Sequence, residues 1–328
     1  MTRRVIVLAF LAQALLSVPG GAHELRPAYL DMREAAADEF TVVWKVPALG
    51  DRRLSLYVRL PDMCKAKSEP VGAFEANAYY ERSTVVCPEI KGKEITINGL
   101  RSTLTDVLVR IQYRDGSTQV VRLRPETPQF IVTGAQSGFE VAQTYFVLGV
   151  DHILGGIDHL LFVLSLILLI PDRWMLLKTI TAFTVAHSVT LAGAALGYLS
   201  LPQKPVEATI ALSIAFVASE LAKAEPGQRR LSESYPWVVA FAFGLLHGFG
   251  FAGALKEIGL PVSDIPLALF TFNLGVEAGQ LMFVAAILLG FQAVSTLFEV
   301  PVRAGRFAAA YVIGTISAVW LVSRLSAF

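Results

Sequence analysis

The sequence predicts an α-helical polytopic membrane protein with six transmembrane helices, preceded by a small periplasmic β-sandwich domain. The first observation is composition: 54% of the residues are hydrophobic and 17% are charged, whereas globular domains average about 25% charged residues. The second is order, because short segments rich in β-branched and aromatic residues precede six long apolar runs. A net charge of +1 does not fit the concentrated basic surface of a nucleic-acid-binding protein, so no nucleic acid is expected as a partner.

Residues 1–22 have the pattern of a secretory signal peptide. Arg3 and Arg4 form its charged start, residues 5–18 its apolar core, and Gly20-Gly21-Ala22 its cleavage site. The apolar core is shorter than the ~20 residues that a transmembrane helix needs, which favours cleavage over an uncleaved anchor. Cleavage makes His23 the first mature residue. Its amine and ring nitrogens are a candidate N-terminal metal ligand for copper, and the alternative is an ordinary polar terminus.

Residues 23–134 are predicted to form the periplasmic β-sandwich domain. Its expected strands are residues 40–46, 54–60, 95–97, 104–113 and 117–123, and Asp115-Gly116 between the last two is a strong hairpin signal. Several short strands suggest an immunoglobulin-like sandwich, with the strand order left open. Cys64 and Cys87 lack a zinc-type spacing, and we expect them to form a disulfide in an oxidising compartment. The domain is also a candidate for binding a periplasmic protein partner.

Residues 135–152 carry apolar residues at helical spacing with polar residues between them. This pattern predicts an amphipathic lead-in helix that lies along the membrane surface. The six-helix transmembrane domain then occupies residues 153–328. Its apolar runs are residues 156–170, 176–199, 206–222, 237–255, 265–294 and 306–322. Each is long enough to cross a hydrocarbon core about 30 Å thick, the first only just.

The distribution of Lys and Arg between the spans predicts the orientation. The loops after spans one, three and five, together with the first residues of the spans that follow them, contain Arg173, Lys178, Lys223, Arg229, Arg230, Arg303 and Arg306. The segments after the even-numbered spans contain Lys204, Lys256 and Arg324. Because cytoplasmic loops are enriched in basic residues, the N-terminal domain and the C-terminus are both expected in the periplasm. The expected location is the inner membrane, with the lipid bilayer as a partner.

Ionisable residues lie within these apolar runs or at their ends. Such residues are costly in hydrocarbon, so they are expected to face the protein interior and to contact one another. The predicted metal ligands are His152, Asp158, His159, His187, His247 and Glu277. The predicted polar lining consists of Asp151, Thr184, Ser188, Glu220, Asn273 and Gln280. Taken singly, each has a simpler interpretation, such as a hydrogen bond between two helices or an interfacial position for Glu220.

Two glycine pairs bear on how the spans pack. Gly244/Gly248 and Gly275/Gly279 have the GxxxG spacing of helices that approach closely. We therefore expect spans four and five to be in contact, which would bring His247 towards Glu277.

The spacing of the first two histidines sets a geometric condition. In a continuous helix, His152 and His159 rise ~10.5 Å apart, whereas two nitrogens bound to one ion lie at most ~4 Å apart. Both bind the same metal only if Gly155-Gly156 breaks the helix. Otherwise Asp151 and His152 stay at the mouth of the site.

Several of these residues lie in motifs that resemble the HupE/UreJ family of membrane proteins, in its branch with an extracytoplasmic N-terminal domain. His152, Asp158 and His159 match the family's H-x5-D-H motif. Similar stretches are residues 156–162 (GIDHLLF), 181–191 (TAFTVAHSVTL), 244–252 (GLLHGFGFA) and 272–280 (FNLGVEAGQ), so the resemblance covers residues 139–325. Of the second family motif, F-H-G-x-[AV]-H-G-x-E, the chain has only the pair His247-Gly248.

The resemblance implies a polytopic inner-membrane protein, and some family members are described as nickel or cobalt permeases linked to hydrogenase or urease. We expect a divalent metal ion, nickel or cobalt, with zinc or copper as alternatives because imidazole and carboxylate suit them too. The first hypothesis is a metal permease or metal-binding membrane protein. The second is an intramembrane metal-dependent hydrolase, in which a metal activates water and Ser188 assists. The third is a membrane-anchored module that delivers metal to a partner.

Overall fold

The computed structural model describes residues 27–326 apart from 76–77, 135–136, 224–230, 259–264 and 298–301. The described chain has a β-rich N-terminal region followed by helices, as predicted. The predicted signal peptide and His23 lie outside the described residues.

The strands of the N-terminal region form two sheets. They are β1 (Ala28–Ala36), β2 (Glu39–Leu49), β3 (Arg52–Arg53), β4 (Tyr57–Arg59), β5 (Lys65–Ala66), β6 (Val71–Glu75), β7 (Ala78–Val86), β8 (Glu94–Asn98), β9 (Val107–Gln112), β10 (Thr118–Leu123) and β11 (Gln129–Ile131). The larger sheet has the order β10-β9-β1-β2-β7-β5, with β3 paired to β2 and β6 to β7. The smaller sheet has the order β11-β8-β4.

One apolar core is shared by the two sheets. Leu30 from the larger sheet is buried in it together with Ile95 and Phe130 from the smaller sheet. The predicted disulfide between Cys64 and Cys87 is present, and Cys87 is fully buried in this core. The disulfide therefore links the loop before β5 to the end of β7 at a point where both contact the core.

The hairpin predicted at Asp115-Gly116 is confirmed. Strands β9 and β10 pair antiparallel on either side of it. Gly116 has a φ of 84°, a left-handed conformation that glycine adopts without the steric cost of a Cβ. Strand β1 was not among the predicted strands, and it lies in the middle of the larger sheet, parallel to β9 and antiparallel to β2.

Helices predominate in the rest of the described chain, and they support a membrane-embedded protein. They are α1 (Gly138–Gly155), α2 (Ile157–Leu169), α3 (Arg173–Ala195), α4 (Gln203–Ala222), α5 (Leu231–Ser234), α6 (Pro236–Ile258), α7 (Ile265–Leu297) and α8 (Val302–Leu325). By length and composition, four helices in the described part of the chain can cross a membrane: α3, α4, α7 and α8. The pair α1 and α2, bent by 73°, gives a fifth candidate, and α6 contributes a shorter apolar segment over Pro236–Phe251.

Helix α1 corresponds to the predicted lead-in helix and continues to Gly155. A capping box starts it: the Glu140 backbone N–H donates to the Ser137 side chain, and the Ser137 N–H donates to the Glu140 carboxylate. Its apolar face packs on α7, where Tyr145 and Phe272 are fully buried in one cluster. This contact buries the apolar face of α1 against another helix.

Glycines allow α1 and α7 to approach closely. A Cβ on Gly149 of α1 would collide with the carbonyl oxygen of Phe272, and one on Gly275 of α7 would collide with the carbonyl oxygen of Phe146. In each case the obstacle is backbone, which cannot rotate away. The distance between the two helices is therefore fixed by the absence of side chains at these positions.

The other GxxxG pair, Gly244 and Gly248 of α6, packs against α3. A Cβ on Gly244 or Gly248 of α6 would collide with the carbonyl oxygens of Phe183 and His187 in α3. The prediction that these glycines join spans four and five is wrong, because α6 packs on α3 while α7 packs on α1. GxxxG spacing shows that a helix offers a close-packing face, but it does not identify the helix that meets this face.

The larger sheet contacts the helices next to the end of α1. Strands β9 and β10 each contribute a buried apolar side chain to the cluster that α1 and α7 form. Beside this cluster, the Asp151 carboxylate of α1 accepts hydrogen bonds from Arg122 of β10 and from Arg124. Arg122 is also paired with Asp106. This ion network ties the β-rich region to the residue that immediately precedes His152.

The contact between α1 and α7 predicts an unusual effect of alanine at Gly149. Glycine to alanine inside a helix ordinarily stabilises it by about 1 kcal/mol. At Gly149 the new Cβ meets backbone, whereas at Gly290 of α7 nothing lies within 4 Å. We expect Gly149→Ala to lower the midpoint of thermal unfolding in detergent, and Gly290→Ala to leave it unchanged or raise it. Equal midpoints for the two variants would contradict the close contact.

Candidate metal site

The break between α1 and α2 brings two predicted ligands together. Gly156 has φ −86° and ψ 97°, which is outside the helical range, and the two helices meet at 73°. The ring centroids of His152 and His159 consequently lie 4.8 Å apart. In a continuous helix the two residues would be separated by ~10.5 Å along the axis. The geometric condition for sharing one ion is therefore met.

His187 of α3 completes a group with this pair. One ring nitrogen from each of His152, His159 and His187 lies within 4.8 Å of the other two. Nitrogens bound to one ion are separated by at most ~4 Å, so the separations here exceed that limit by less than about 1 Å. Among the described His, Cys, Asp and Glu side chains, these three form the group that is close enough to hold a metal ion.

His247 and Asp158 flank the three histidines. The ring of His247, from α6, lies 5.3 Å from that of His159, and the residue is 1% exposed. The Asp158 carboxylate lies 3.1 Å from His159 Nδ1 and accepts a hydrogen bond of 2.9 Å from the His159 backbone N–H. A negative charge in the first turn of a helix is also stabilised by the helix dipole. The cluster thus combines four imidazoles with one carboxylate.

Phenylalanine rings enclose this cluster. Phe251 lies 4.1 Å from the ring of His152, and Phe183 and Phe162 lie 5.1 Å and 5.4 Å from the ring of His247. Apolar walls exclude water and lower the local dielectric constant, which strengthens the attraction between a cation and its ligands.

Several buried ring nitrogens in the cluster have no hydrogen-bond partner. They are His152 Nε2, His159 Nδ1 and Nε2, His187 Nε2 and His247 Nδ1. His159 Nδ1 lies 3.1 Å from the Asp158 carboxylate, which is within ion-pair distance. Each unsatisfied buried polar atom costs about 1–3 kcal/mol. Imidazole nitrogens are ligands for nickel, copper, zinc and iron, so a divalent transition-metal ion would satisfy several of these atoms at once.

Three predicted site residues are not part of the histidine group: Glu277, which was predicted as a metal ligand, and Glu220 and Asp151, which were predicted as polar lining. Glu277 accepts a hydrogen bond of 2.6 Å from Thr181, and Glu220 accepts one of 2.5 Å from Ser232. Asp151 is bound by the two arginines of the β-rich region. These three carboxylates therefore have partners of their own outside the group.

The remaining lining residues connect α3 with α7 or bond within α3. Thr184 donates to the Gln280 side chain at 3.0 Å, and His187 Nδ1 lies 3.2 Å from Asn273 Oδ1. Ser188 donates to the Thr184 carbonyl of its own helix. The hydroxyl hydrogen of Ser188 is thus used within α3, which does not favour a nucleophilic role for this residue.

Ser213 of α4 is a contact that the sequence analysis missed. Its hydroxyl oxygen lies 3.0 Å from His247 Nε2, and the residue is fully buried. Serines in transmembrane helices commonly bond to their own backbone, as the equally buried Ser317 does in α8. Nothing in the local sequence separates the two serines, so only the tertiary structure identifies Ser213.

The helices that carry this cluster are those that a family comparison matches. The family model described as "HupE / UreJ protein" matches residues 129–324. The chain belongs to the HupE/UreJ family. The resemblance seen in the motifs is therefore confirmed, and the match includes all four clustered histidines. The HupE/UreJ family is associated with nickel or cobalt transport or maturation. Comparisons with curated proteins and with solved structures gave no significant match.

The helix break in this HupE/UreJ protein predicts different effects of alanine at two neighbouring glycines. A Cβ on Gly156 would lie 2.7 Å from His159 Nδ1 and 2.9 Å from the His152 carbonyl, whereas a Cβ on Gly155 has no neighbour within 4 Å. We expect Gly156→Ala to weaken Co²⁺ binding by about tenfold, comparable to the loss of a supporting contact, and Gly155→Ala to leave it unchanged. Titration of the purified variants by visible absorption measures both affinities. Equal affinities would show that the arrangement at the break does not matter for the site.

Proposed function

We propose that the chain is an inner-membrane permease for a divalent transition-metal ion of the nickel or cobalt type, with the ion as its substrate. In this proposal the bent pair α1–α2 forms the first of six transmembrane spans, followed by α3, α4, α6, α7 and α8. The two sheets form a sandwich in the periplasm, and the C-terminus lies on the same side. The family match and the apolar helices support this arrangement.

The observation that carries the proposal is the convergence of buried, unpartnered imidazole nitrogens inside a bundle of apolar helices. His152, His159 and His187 lie within metal-binding range of one another, with His247 beside them. Polar groups of this kind are costly in a membrane and are retained there for function. A divalent cation that loses its hydration shell needs such nitrogen ligands as replacements.

The side-chain chemistry limits which cations fit. Both cysteines are joined in the disulfide of the β-rich region, so thiolates do not contribute to the site. Imidazole nitrogens with one carboxylate suit nickel, cobalt, zinc and copper better than magnesium or calcium, which prefer oxygen ligands. Selection among the transition metals then depends on geometry, and the family association favours nickel or cobalt.

A polar seam between α3 and α7 supports passage of the ion beyond the histidines. It starts with the contact between His187 and Asn273, and it continues through Thr184 with Gln280 and Thr181 with Glu277. These pairs place hydroxyl, amide and carboxylate oxygens along one interface of otherwise apolar helices. We propose that Glu277 assists transfer of the ion after it leaves the histidine cluster.

The permease function predicts that histidine variants lose metal uptake. In cells with equal amounts of protein, we expect His159→Ala and His247→Ala to reduce accumulation of radioactive Ni²⁺ or Co²⁺ by about tenfold or more, since even supporting contacts are worth tenfold. The matched control is Ser165→Ala on α2, a fully buried residue whose hydroxyl bonds to the Leu161 carbonyl of its own helix. Uptake at control levels in both histidine variants would overturn the function.

The position of Glu277 in the seam predicts that its substitution affects metal transport but not metal binding. We expect Glu277→Gln to reduce Ni²⁺ or Co²⁺ uptake while the purified protein keeps its affinity for Co²⁺, because this carboxylate lies outside the histidine group. His187→Ala should lose both properties and serves as the comparison. Loss of Co²⁺ affinity in Glu277→Gln would instead make Glu277 a ligand and contradict the separation.

A further inference from the structure

Two of the clustered histidines each have a hydrogen-bond partner on one ring nitrogen and none on the other. In a neutral imidazole one nitrogen carries the hydrogen and donates, while the other has a lone pair and accepts. The partner on one side therefore decides which nitrogen is left for a metal ion. The other hydrogen bonds that each partner makes show whether it donates to the histidine or accepts from it.

At His187 the partner is Asn273 of α7. The Asn273 amide Nδ2 donates to the Leu269 carbonyl at 2.8 Å, which sets the orientation of the amide. Its oxygen then faces His187 Nδ1 at 3.2 Å and can only accept, so His187 Nδ1 carries the hydrogen. The lone pair of His187 is left on Nε2, which is buried without a partner.

At His247 the partner is Ser213 of α4, and the opposite nitrogen is engaged. The Ser213 hydroxyl donates its one hydrogen to the Ile210 carbonyl at 2.6 Å. Ser213 Oγ can therefore only accept from His247 Nε2, which lies 3.0 Å away. The lone pair of His247 is left on Nδ1, which is buried without a partner.

We propose that Asn273 and Ser213 are positioning residues that fix opposite tautomers of His187 and His247, so that Nε2 of one and Nδ1 of the other bind the same transition-metal ion. The two rings lie on the cluster around His159, at 6.4 Å and 5.3 Å from its ring. This inference rests on the proposed function for the ion, but the tautomers themselves are a property of the metal-free protein.

The chemistry of the two partners fits a transported ion. A hydrogen bond to the ring nitrogen that does not bind the metal orients a ligating histidine and raises its basicity, and carboxylates are frequent partners in this role. Here the partners of His187 and His247 are a neutral amide and a neutral hydroxyl. They hold the rings in place while adding no negative charge, so the ion is bound less tightly and can leave more readily.

Nuclear magnetic resonance of metal-free protein with isotope-labelled histidine tests the tautomers directly. We expect the ring N–H hydrogen of His187 to be on Nδ1 and that of His247 to be on Nε2. Ser213→Ala should shift His247 to a mixture of tautomers or to the Nδ1–H form, and Ser213→Thr should restore the original form because it keeps the hydroxyl. Ser317→Ala is the control for removing a buried serine. A His247 hydrogen on Nδ1 in the natural sequence, or no change in Ser213→Ala, would overturn the proposal.

Titration with Co²⁺ tests whether the fixed tautomers contribute to the affinity for the metal ion. We expect Ser213→Ala and Asn273→Ala to weaken binding by about 10- to 100-fold, as for other supporting contacts of metal ligands. Ser213→Thr and Ser317→Ala should bind as the unchanged protein does. Unaltered affinity in Ser213→Ala would overturn the positioning role. If the natural sequence binds no Co²⁺, the proposed function and the positioning role both fail, and the resonance experiment still decides whether the tautomers are fixed as inferred.

Discussion

The break at Gly156 is the constraint on which the rest of the site depends. It turns α2 by 73° from α1, so that His152 at the end of one helix meets His159 in the first turns of the next. Without it, the two rings would be about two helical turns apart. The remaining histidines of the cluster come from α3 and α6, and both helices are held close to the break by packing rather than by local sequence.

Close helix packing positions the helices that carry the histidines. Gly149 and Gly275 bring α1 and α7 into backbone contact, and Gly244 and Gly248 do the same for α6 and α3. Each pair therefore places a histidine-bearing helix at a fixed distance from a neighbour. On the other side, the arginines of the β-rich region hold Asp151, next to His152. The position of the cluster is thus determined by contacts that reach well beyond its own residues.

Much of the fold was predictable because it depends on local sequence patterns. Segments rich in β-branched and aromatic residues indicate strands, the Asp115-Gly116 turn indicates a hairpin, and long apolar runs indicate membrane helices. The motif around Asp158 indicates the family. Contacts between helices were not predictable in the same way. GxxxG spacing gave the wrong partner for α6 and α7, since it describes one surface of a contact and not both. The contact of Ser213 with His247 could not be predicted from the local sequence, because it depends only on the tertiary structure.

The most direct test of the account is X-ray absorption spectroscopy of the purified protein loaded with Ni²⁺ or Co²⁺. We expect about one ion per chain, surrounded by imidazole nitrogens at roughly 2.0–2.1 Å, with the outer-shell scattering typical of three or four histidine rings. An ion coordinated by oxygen alone, or a metal content far below one per chain under saturating conditions, would contradict the assignment of the buried histidines as its ligands.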